Sequence, residues 1–153
     1  MKLSTRGRYG LRALIDLAQH QNLGAVSVQS IAERNNISDS YLEQLIRLLK
    51  KGGLVVSVRG AGGGYRLARP ASEISVGEAL RCLEGSLDVV ECPTIEGKPG
   101  CNKAEACITR FVWKKINDAI TDAVDSIHLS DLTMQSDLLR KSEATAELER
   151  TQQ

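Results

Sequence analysis

The sequence is poor in aromatic residues, which make up 3% of its 153 positions. Its core must therefore be built from Leu, Ile, Val and Ala, and an apolar fraction of 42% is enough for one. No apolar run reaches the length of a membrane span, which argues against a membrane protein. The N-terminus also lacks the apolar stretch that secretion signals need. These absences together predict a cytoplasmic protein.

Net charge is also small, at +1, but the charges are unevenly distributed. Residues 1–70 carry 11 Lys and Arg against 4 Asp and Glu, whereas residues 71–153 carry 9 against 15. A basic half next to an acidic half indicates a polyanion-binding module joined to a second module with another role. We therefore expect a DNA-binding domain at 1–70, a cysteine loop and dimerisation region at 71–140, and a tail at 141–153.

The stretch from Ser38 to Leu67 predicts a helix followed by a basic hairpin. Ser38 is a typical N-cap, and Ser40 with Glu43 offers a second capping register. The apolar residues at helical spacing are Leu42, Leu45, Ile46, Leu48 and Leu49. Two lysines and two glycines end the helix, and a β-rich run, a glycine-rich turn and a return strand follow. This order is typical of the recognition helix and wing of a winged-helix domain.

Two helices precede this stretch. The first begins at Ser4 or Thr5 and carries three arginines that we expect to contact DNA phosphates: Arg6, Arg8 and Arg12. A short second helix covers residues 27–34, and an Asn-Asn turn connects it to the recognition helix, which is helix-turn-helix spacing. The predicted fold class is mainly α, an α+β winged helix with a long dimerisation helix.

The polar face of the recognition helix holds the candidate base readers, which are Ser38, Ser40, Glu43 and Gln44. Gln can bond adenine through two atoms, and Glu can accept a hydrogen bond from cytosine. Arg47 and Lys50 are better placed for phosphates, and the Tyr41 hydroxyl is a further phosphate donor. In the wing, Arg59 followed by Gly60 suits insertion into a narrow minor groove.

The glycine run 62–64 predicts positive φ angles and close backbone approach in the wing. Such a run can also cradle a phosphate in a nucleotide site. However, no Lys-Ser or Lys-Thr pair follows it and no helix is expected to begin there, which argues against a P-loop.

Three of the four cysteines, Cys92, Cys101 and Cys107, lie within 16 residues. Their loop also holds two prolines and two glycines, so a metal centre or a disulfide would have to supply the order that apolar burial does not. Several thiolates favour zinc or an iron–sulfur cluster, although no paired CxxC knuckle supports zinc. Cys82 lies in a helix predicted over residues 76–84, where we expect a partly buried structural thiol.

A further helix is predicted to run from about residue 104 to residue 128. Its apolar seam steps by three and four residues through Trp113, Ile116, Ile120, Ala123 and Ile127. We expect this seam to pack against a second copy, which would give a homodimer that binds a pseudo-palindromic site in double-stranded DNA. Packing within one chain is the alternative. A short helix over 129–139 follows, and the remainder is expected to be a fraying helix or a disordered tail.

Four motifs in this order resemble the IscR-type family of winged-helix transcription regulators: MKLSTRGRYGLRAL, ISxSYLEQL, VRGxGGGY and the three-cysteine loop. Relatives in that family are the nitric-oxide sensor NsrR and the cysteine-metabolism regulator CymR. The resemblance spans roughly residues 1–140. It implies a homodimeric transcription factor, often a repressor, whose [2Fe–2S] cluster state sets which operators it binds.

The same resemblance implies roles for individual residues. It marks Ser40, Glu43 and Gln44 as base readers and Arg59 as the minor-groove arginine. The implied cluster ligands are Cys92, Cys101 and Cys107.

The chain departs from the family pattern at two places. Eight residues separate its first two loop cysteines, more than in IscR-like proteins, and Arg110 stands where they carry a histidine. His20 and His128 are not near the loop in sequence. The fourth ligand therefore stays open between Glu96, Asn102, Glu105, a residue from the partner's N-terminal helix and an exogenous thiol.

Two other functions stay open. In the first, the DNA-binding role is kept, but the loop is a thiol switch or a zinc site, and a CymR-like variant would act with a cysteine-biosynthesis enzyme as partner. In the second, the chain is an enzyme such as a small redox protein. The lack of a CxxC pair and of a catalytic Cys–His grouping argues against the enzyme.

Overall fold

The computed structural model describes residues 3–20, 22, 24–90 and 107–151. Within these residues the chain forms six α-helices, a 3-10 turn and a two-stranded antiparallel sheet. Their bounds are α1 Thr5–His20, α2 Val28–Asn35, α3 Asp39–Lys51, β1 Val55–Val58, β2 Gly64–Leu67, the 3-10 turn Ala71–Glu73, α4 Val76–Glu84, α5 Arg110–Asp125 and α6 Leu129–Thr151. The mainly α winged-helix class is confirmed. None of the helices in these ranges is long and apolar enough to cross a membrane.

Serine side chains start α2 and α3. The Ser27 and Ser38 hydroxyls accept hydrogen bonds from the amides three residues further on, at 3.1 and 3.3 Å. Each bond satisfies a backbone donor that the first helical turn leaves unpaired. Between the two helices Asn36 takes a left-handed conformation, with a φ of 53°. The predicted helix-turn-helix is confirmed, but the second capping register at Ser40 is wrong because α3 already includes that residue.

One apolar core receives side chains from most of these helices. The buried face of α3 consists of Leu42, Leu45, Ile46 and Leu49, as predicted. These side chains share a core with Leu14 of α1, with Ile31 of α2, and with Ile74 and Leu83 further along the chain. Burial of each large aliphatic side chain stabilises the fold by about 1.5–3 kcal/mol before conformational entropy is counted. The core beneath the recognition helix therefore includes residues from beyond position 70.

The wing is a short hairpin that a third segment ties to the helices. β1 and β2 pair in antiparallel register, with Val55 opposite Leu67. Val26, just before α2, exchanges two backbone hydrogen bonds with Tyr65 of β2, each 2.8 Å long. Sequence pattern alone does not indicate this extra pairing, which fixes the wing against the start of α2.

The wing glycines have separate roles. Gly60 has a φ of 111°, so the predicted positive φ occurs there and not in the run 62–64. At Gly63 an added Cβ would lie 2.7 Å from the Val58 carbonyl oxygen, and at Gly64 it would collide with the Val26 carbonyl. Close backbone approach is therefore confirmed for two of the three glycines in the run.

The C-terminal helices differ from their predicted bounds. α5 starts at Arg110 and ends at Asp125, inside the predicted 104–128; residues 104–106 lie outside the described part of the chain. The helix predicted over 129–139 is longer in the structure: α6 continues to Thr151, through residues for which we predicted a fraying helix or a disordered tail. Residues 129–151 contain neither glycine nor proline and include five Leu and three Glu, which favour helix.

The junction between α5 and α6 is hydrogen-bonded to the start of α4. The Val76 amide donates to the Ile127 carbonyl at 2.8 Å, and the Leu129 amide donates to the Ile74 carbonyl at 3.0 Å. Leu129 is fully buried in the common core. These contacts place the end of α5 against the helical core that carries α3.

The wing glycines give a matched test of close approach. Gly64→Ala is expected to lower the free energy of unfolding by about 1–3 kcal/mol, because the new methyl group overlaps the Val26 carbonyl. Gly62→Ala is the control: nothing lies within 4 Å of an added Cβ there, so the change should stay within about 0.5 kcal/mol. Equilibrium urea unfolding at one protein concentration measures both. Equal effects would contradict the role given to Gly64.

Candidate nucleic-acid interface and cysteine site

The face of α3 opposite the core is exposed and polar. It brings together the predicted DNA-contacting residues Ser38, Ser40, Glu43, Gln44 and Arg47, all of them exposed. Burial of the leucine face fixes the rotation of the helix, so these side chains point together away from the core. The Ser38 hydroxyl accepts the Tyr41 amide and lies 3.4 Å from the Ser40 hydroxyl. Contact of these residues with bases stays a prediction.

Tyr41 differs from the other predicted contacts. Its ring packs edge-on against Tyr9, with ring centroids 6.2 Å apart. Its hydroxyl is buried and has no hydrogen-bond partner among the described residues. As placed, this hydroxyl does not face solvent, so the predicted phosphate contact would require the side chain to move.

The wing tip presents Arg59 and Gly60, both exposed, directly after β1. The Gly60 carbonyl accepts a hydrogen bond from the Gly63 amide at 2.9 Å, which closes the turn without any side chain. The tip is therefore narrow and carries a cation. This geometry is compatible with the minor-groove contact predicted for Arg59.

Lys50 connects the recognition helix to the wing. Its Nζ donates to the Ser57 hydroxyl at 3.2 Å and lies 5.9 Å from the centroid of the Tyr65 ring. Ser57 and Tyr65 are cross-strand partners in the hairpin, so the lysine contacts both strands. Sequence reasoning placed Lys50 on phosphate and missed this bracing contact. The available signal was a lysine in the last helical turn before a hairpin with a polar and an aromatic residue opposite each other.

The arginines of α1 form a second cationic surface. Arg6, Arg8 and Arg12 are all exposed, and the Arg12 guanidinium lies 5.4 Å from the centroid of the Tyr9 ring. Tyr9 in turn packs on Tyr41, so this surface adjoins the start of the recognition helix. The structure therefore brings the predicted phosphate contacts of α1 close to the reading face of α3.

Glu84, the last residue of α4, holds the start of α1. Its Oε1 accepts hydrogen bonds from the Ser4 amide at 2.9 Å, the Ser4 hydroxyl at 2.7 Å and the Gly7 amide at 2.9 Å. Burial opposes the charged form, but the hydrogen bonds from Ser4 and Gly7 outweigh it, so the pKa of Glu84 lies below its ordinary value. Sequence reasoning missed this cap because the partners are 80 positions apart.

Among the three predicted ligand cysteines, the described residues include Cys107, which lies three positions before α5. Its Sγ is 3.2 Å from the Thr109 hydroxyl oxygen. Hydrogen bonding by Thr109, helped by the Arg110 amide, lowers the pKa of the Cys107 thiol. The thiolate is the form that binds metals, so this residue fits the role of a cluster or zinc ligand. Cys92 and Cys101 lie outside the described residues.

The open fourth-ligand position is not filled by the described residues. Glu96, Asn102 and Glu105 all lie outside them. His20 hydrogen-bonds through Nδ1 to the Asp16 carbonyl at 2.7 Å, and His128 Nδ1 lies 4.0 Å from the Asp131 carboxylate. In the part of the chain that the structure describes, no three metal-binding side chains cluster.

We call residues 91–106 the cysteine segment. Asp88 and Val89, which precede it, are bonded to α5. Asn117 is the buried residue of that helix, and its Oδ1 accepts the Val89 amide at 3.0 Å. Its Nδ2 donates to the Asp88 carboxylate at 3.4 Å. The segment therefore begins just after Val89, which is bonded to α5, and ends just before Cys107, which leads into the same helix. Sequence reasoning missed Asn117; an amide within an apolar helix was the signal.

Cys82 is partly buried, as predicted. An added Cβ at Gly52, the C-cap of α3, would collide with its Sγ, so the thiol packs closely against the end of the recognition helix. Burial, with a smaller effect of the Glu78 charge, raises the pKa of this thiol. A protonated, packed thiol is a structural element and a poor metal ligand.

α5 shows much apolar surface to solvent. Phe111 is 77% exposed and Val112 is 51% exposed. The predicted seam residues, Trp113, Ile116, Ile120, Ala123 and Ile127, are all half-buried or exposed. Among the described residues the seam is only partly covered, and its packing against a second copy or within one chain stays a prediction. Contiguous exposed apolar surface of this kind is typical of a protein interface.

Comparison with known proteins agrees with this geometry. The profile of the Rrf2 family, described as an iron-dependent transcriptional regulator, matches residues 3–135. The transcriptional regulator IscR of Pectobacterium carotovorum is 42% identical over 139 residues, which span 91% of this chain and 83% of that protein. A putative HTH-type transcriptional regulator of Azotobacter vinelandii is 43% identical over 138 residues, spanning 90% and 82%.

Solved structures show the same fold. CymR, the global cysteine regulator of B. subtilis, has a TM-score of 0.72 and 41% identity, and the match covers 88% of this chain and 98% of CymR. T. potens IscR has a TM-score of 0.71 and 46% identity, with 89% and 88% covered. These relatives are transcriptional regulators and not enzymes. Since the family profile matches most of the chain and the relatives are more than 40% identical, the chain belongs to the Rrf2 family of transcriptional regulators.

Proposed function

We propose that the chain is a homodimeric repressor whose binding to a pseudo-palindromic operator is controlled by a [2Fe–2S] cluster on Cys92, Cys101 and Cys107. The signal is iron–sulfur, redox or nitric oxide status. The observation that supports this proposal is the combination of an exposed polar face on α3, a cationic wing and a largely exposed apolar face on α5. Cys107 leads into that same α5.

The DNA-binding part of the proposal divides the contacts by groove. Ser40, Glu43 and Gln44 read base edges in the major groove, where the exposed face of α3 would lie. Arg59 enters the minor groove from the wing, and Arg8 holds the backbone phosphates together with Arg47. A two-fold dimer repeats this set, which is why the operator should be pseudo-palindromic.

The regulatory part depends on the cysteine segment. A [2Fe–2S] cluster supplies a centre that reacts with oxidants and nitric oxide. Cys107, whose pKa is lowered by the Thr109 hydrogen bond, lies three positions before α5, and Asn117 of the same helix accepts a hydrogen bond from Val89, two positions before the segment. Formation or loss of the centre would therefore act on α5, the helix that carries the proposed dimer face.

The second candidate is a cluster-free regulator of cysteine metabolism or thiol redox state. Two observations favour it: Arg110 occupies the position of the family's histidine, and CymR structures are among the similar ones. The oxidized form of Staphylococcus aureus CymR is 44% identical, with a TM-score of 0.67. In this case the loop cysteines would form a reversible disulfide.

Metal analysis separates the two candidates. Protein isolated and reconstituted under anaerobic conditions is expected to hold about two iron and two sulfide per protomer, with visible absorption. Cys107→Ser should lower the iron content severalfold, whereas Cys82→Ser should keep it, because that thiol packs against α3. Iron, sulfide and absorbance are measured together. Colourless protein that forms a reversible disulfide would contradict the cluster and favour the second candidate.

The two kinds of DNA contact make different predictions. Arg59→Ala is expected to weaken binding to an A·T-rich operator, selected from a random library, about tenfold more than binding to random duplex. Arg8→Ala should weaken both by a similar factor and reduce the slope of log K against log salt by about 1. Fluorescence anisotropy at several salt concentrations measures both quantities. Equal losses on both duplexes for Arg59→Ala would overturn its assignment as a reader.

The dimer face is tested on α5. Ile116→Glu places a charge on the apolar seam and is expected to shift the protein from dimer to monomer in sedimentation velocity and to weaken operator binding at least tenfold. Lys115→Ala, at an exposed position on the same helix, is the control and should remain dimeric. A dimeric Ile116→Glu protein would show that another surface joins the copies.

A further inference from the structure

The first turn of α1 has an unfavourable charge arrangement. Its first turn contains Arg6 and Arg8 but no acidic residue, so two cations lie where the helix dipole is positive. The Ser4 hydroxyl accepts the Arg6 amide at 3.1 Å and the Ser4 carbonyl accepts the Arg8 amide at 3.3 Å, but the Gly7 amide has no acceptor among its neighbours in sequence. The helix that presents the phosphate-contacting arginines therefore does not complete its own N-terminus.

Glu84 completes it from a distant part of the chain. One carboxylate oxygen accepts the Ser4 amide, the Ser4 hydroxyl and the Gly7 amide, all within 2.9 Å. Gly7 is needed for this, because an added Cβ would collide with the carboxylate. Gly10, one turn later, similarly gives room to Leu83. The end of α4 is thus fitted closely onto the start of α1.

The same residue is the last helical residue before the cysteine segment. Gly85, with a φ of 86°, ends α4, and Asp88 and Val89 are then bonded to Asn117 of α5. Cys92 follows Glu84 by eight positions. Any movement of α5 or of the cysteines that displaces Val89 therefore acts on a short span whose other end is the Glu84 backbone.

We propose that Glu84 is a positioning residue for DNA binding. By capping α1 it holds Arg6 and Arg8 in place for phosphate contact, and through residues 85–89 it transmits the state of the cysteine segment to them. The first part requires only the DNA-binding role. The second part rests on the proposed function, since it requires a centre on the cysteines.

The first part is tested on metal-free, reduced protein. Glu84→Ala is expected to weaken binding to the selected operator and to random duplex by about tenfold each and to reduce the salt slope by about 1. Hydrogen exchange at the amides of residues 5–8 should accelerate, because the cap is lost. General destabilisation would instead speed up amide exchange throughout the protein. It would not reduce the slope of log K against log salt while amides outside residues 5–8 keep their protection.

Three further variants keep this test decisive. Gly7→Ala should reproduce the loss in DNA affinity, since its methyl group displaces the carboxylate while alanine itself favours helix. Glu84→Gln retains an oxygen acceptor for the same donors and should recover most of the affinity. Glu73→Ala, at an exposed glutamate of the 3-10 turn, is the matched control and should bind like the wild type. Unchanged affinity in both Glu84→Ala and Gly7→Ala overturns the proposal.

The second part is tested on reconstituted protein. For the wild type, the ratio of operator affinities with and without the centre should be on the order of 5- to 150-fold in one direction. In Glu84→Ala this ratio should fall close to 1, while iron content and visible absorption stay at wild-type level. An unchanged ratio overturns transmission through Glu84. A wild-type ratio of 1 overturns the proposed regulation and transmission with it, and the positioning role is then judged on the metal-free protein.

Discussion

The DNA-binding role depends first on the burial of one face of α3. Leu42, Leu45, Ile46 and Leu49 are almost completely buried, and no other rotation of the helix would hide all four. That burial fixes the direction in which Ser40, Glu43 and Gln44 leave the helix. Lys50 then fixes the wing relative to the same helix through Ser57. The reading surface is thus a consequence of core packing, and its polar residues are left available for a ligand.

The arginines of residues 1–70 fall into two groups, those paired with carboxylates and those that are exposed. Some arginines of the basic half are used inside the fold: Arg34 donates two hydrogen bonds to the Asp16 carboxylate, at 2.8 and 2.7 Å, and Arg69 pairs with Glu78 of α4 at 2.7 Å. The arginines on α1, α3 and the wing are instead exposed. Asp16 of the basic half and Glu78 of the acidic half therefore engage the arginines that lie between structural elements, while the cations of the proposed DNA-facing surface stay exposed.

Short sequence patterns predicted the features of the fold that depend on residues close together in the chain. The serine caps, the left-handed turn at Asn36 and the leucine face of α3 each follow from a few neighbouring residues. The pairing of Val26 with Tyr65, the Glu84 cap and the Asn117 clamp join positions 28 to 80 apart, and no short pattern encodes such contacts. The residues predicted to contact DNA are exposed except Tyr41, whose hydroxyl is buried, and their contact with DNA stays a prediction.

The last turn of α4 explains how such distant parts are joined. Four consecutive residues contact three helices: Arg81 pairs with Asp125 of α5 at 2.7 Å, Cys82 packs on the end of α3, and Leu83 and Glu84 meet α1. Each of the last three side chains packs against a glycine: Cys82 against Gly52, Leu83 against Gly10 and Glu84 against Gly7. Contacts this close leave little slack, so α4 can shift only if α1, α3 or α5 shifts with it. Under the proposal above, a change at the cysteines would reach the DNA-binding helices through that turn, because residues 85–89 join its last residue, Glu84, to the Val89 that is bonded to α5.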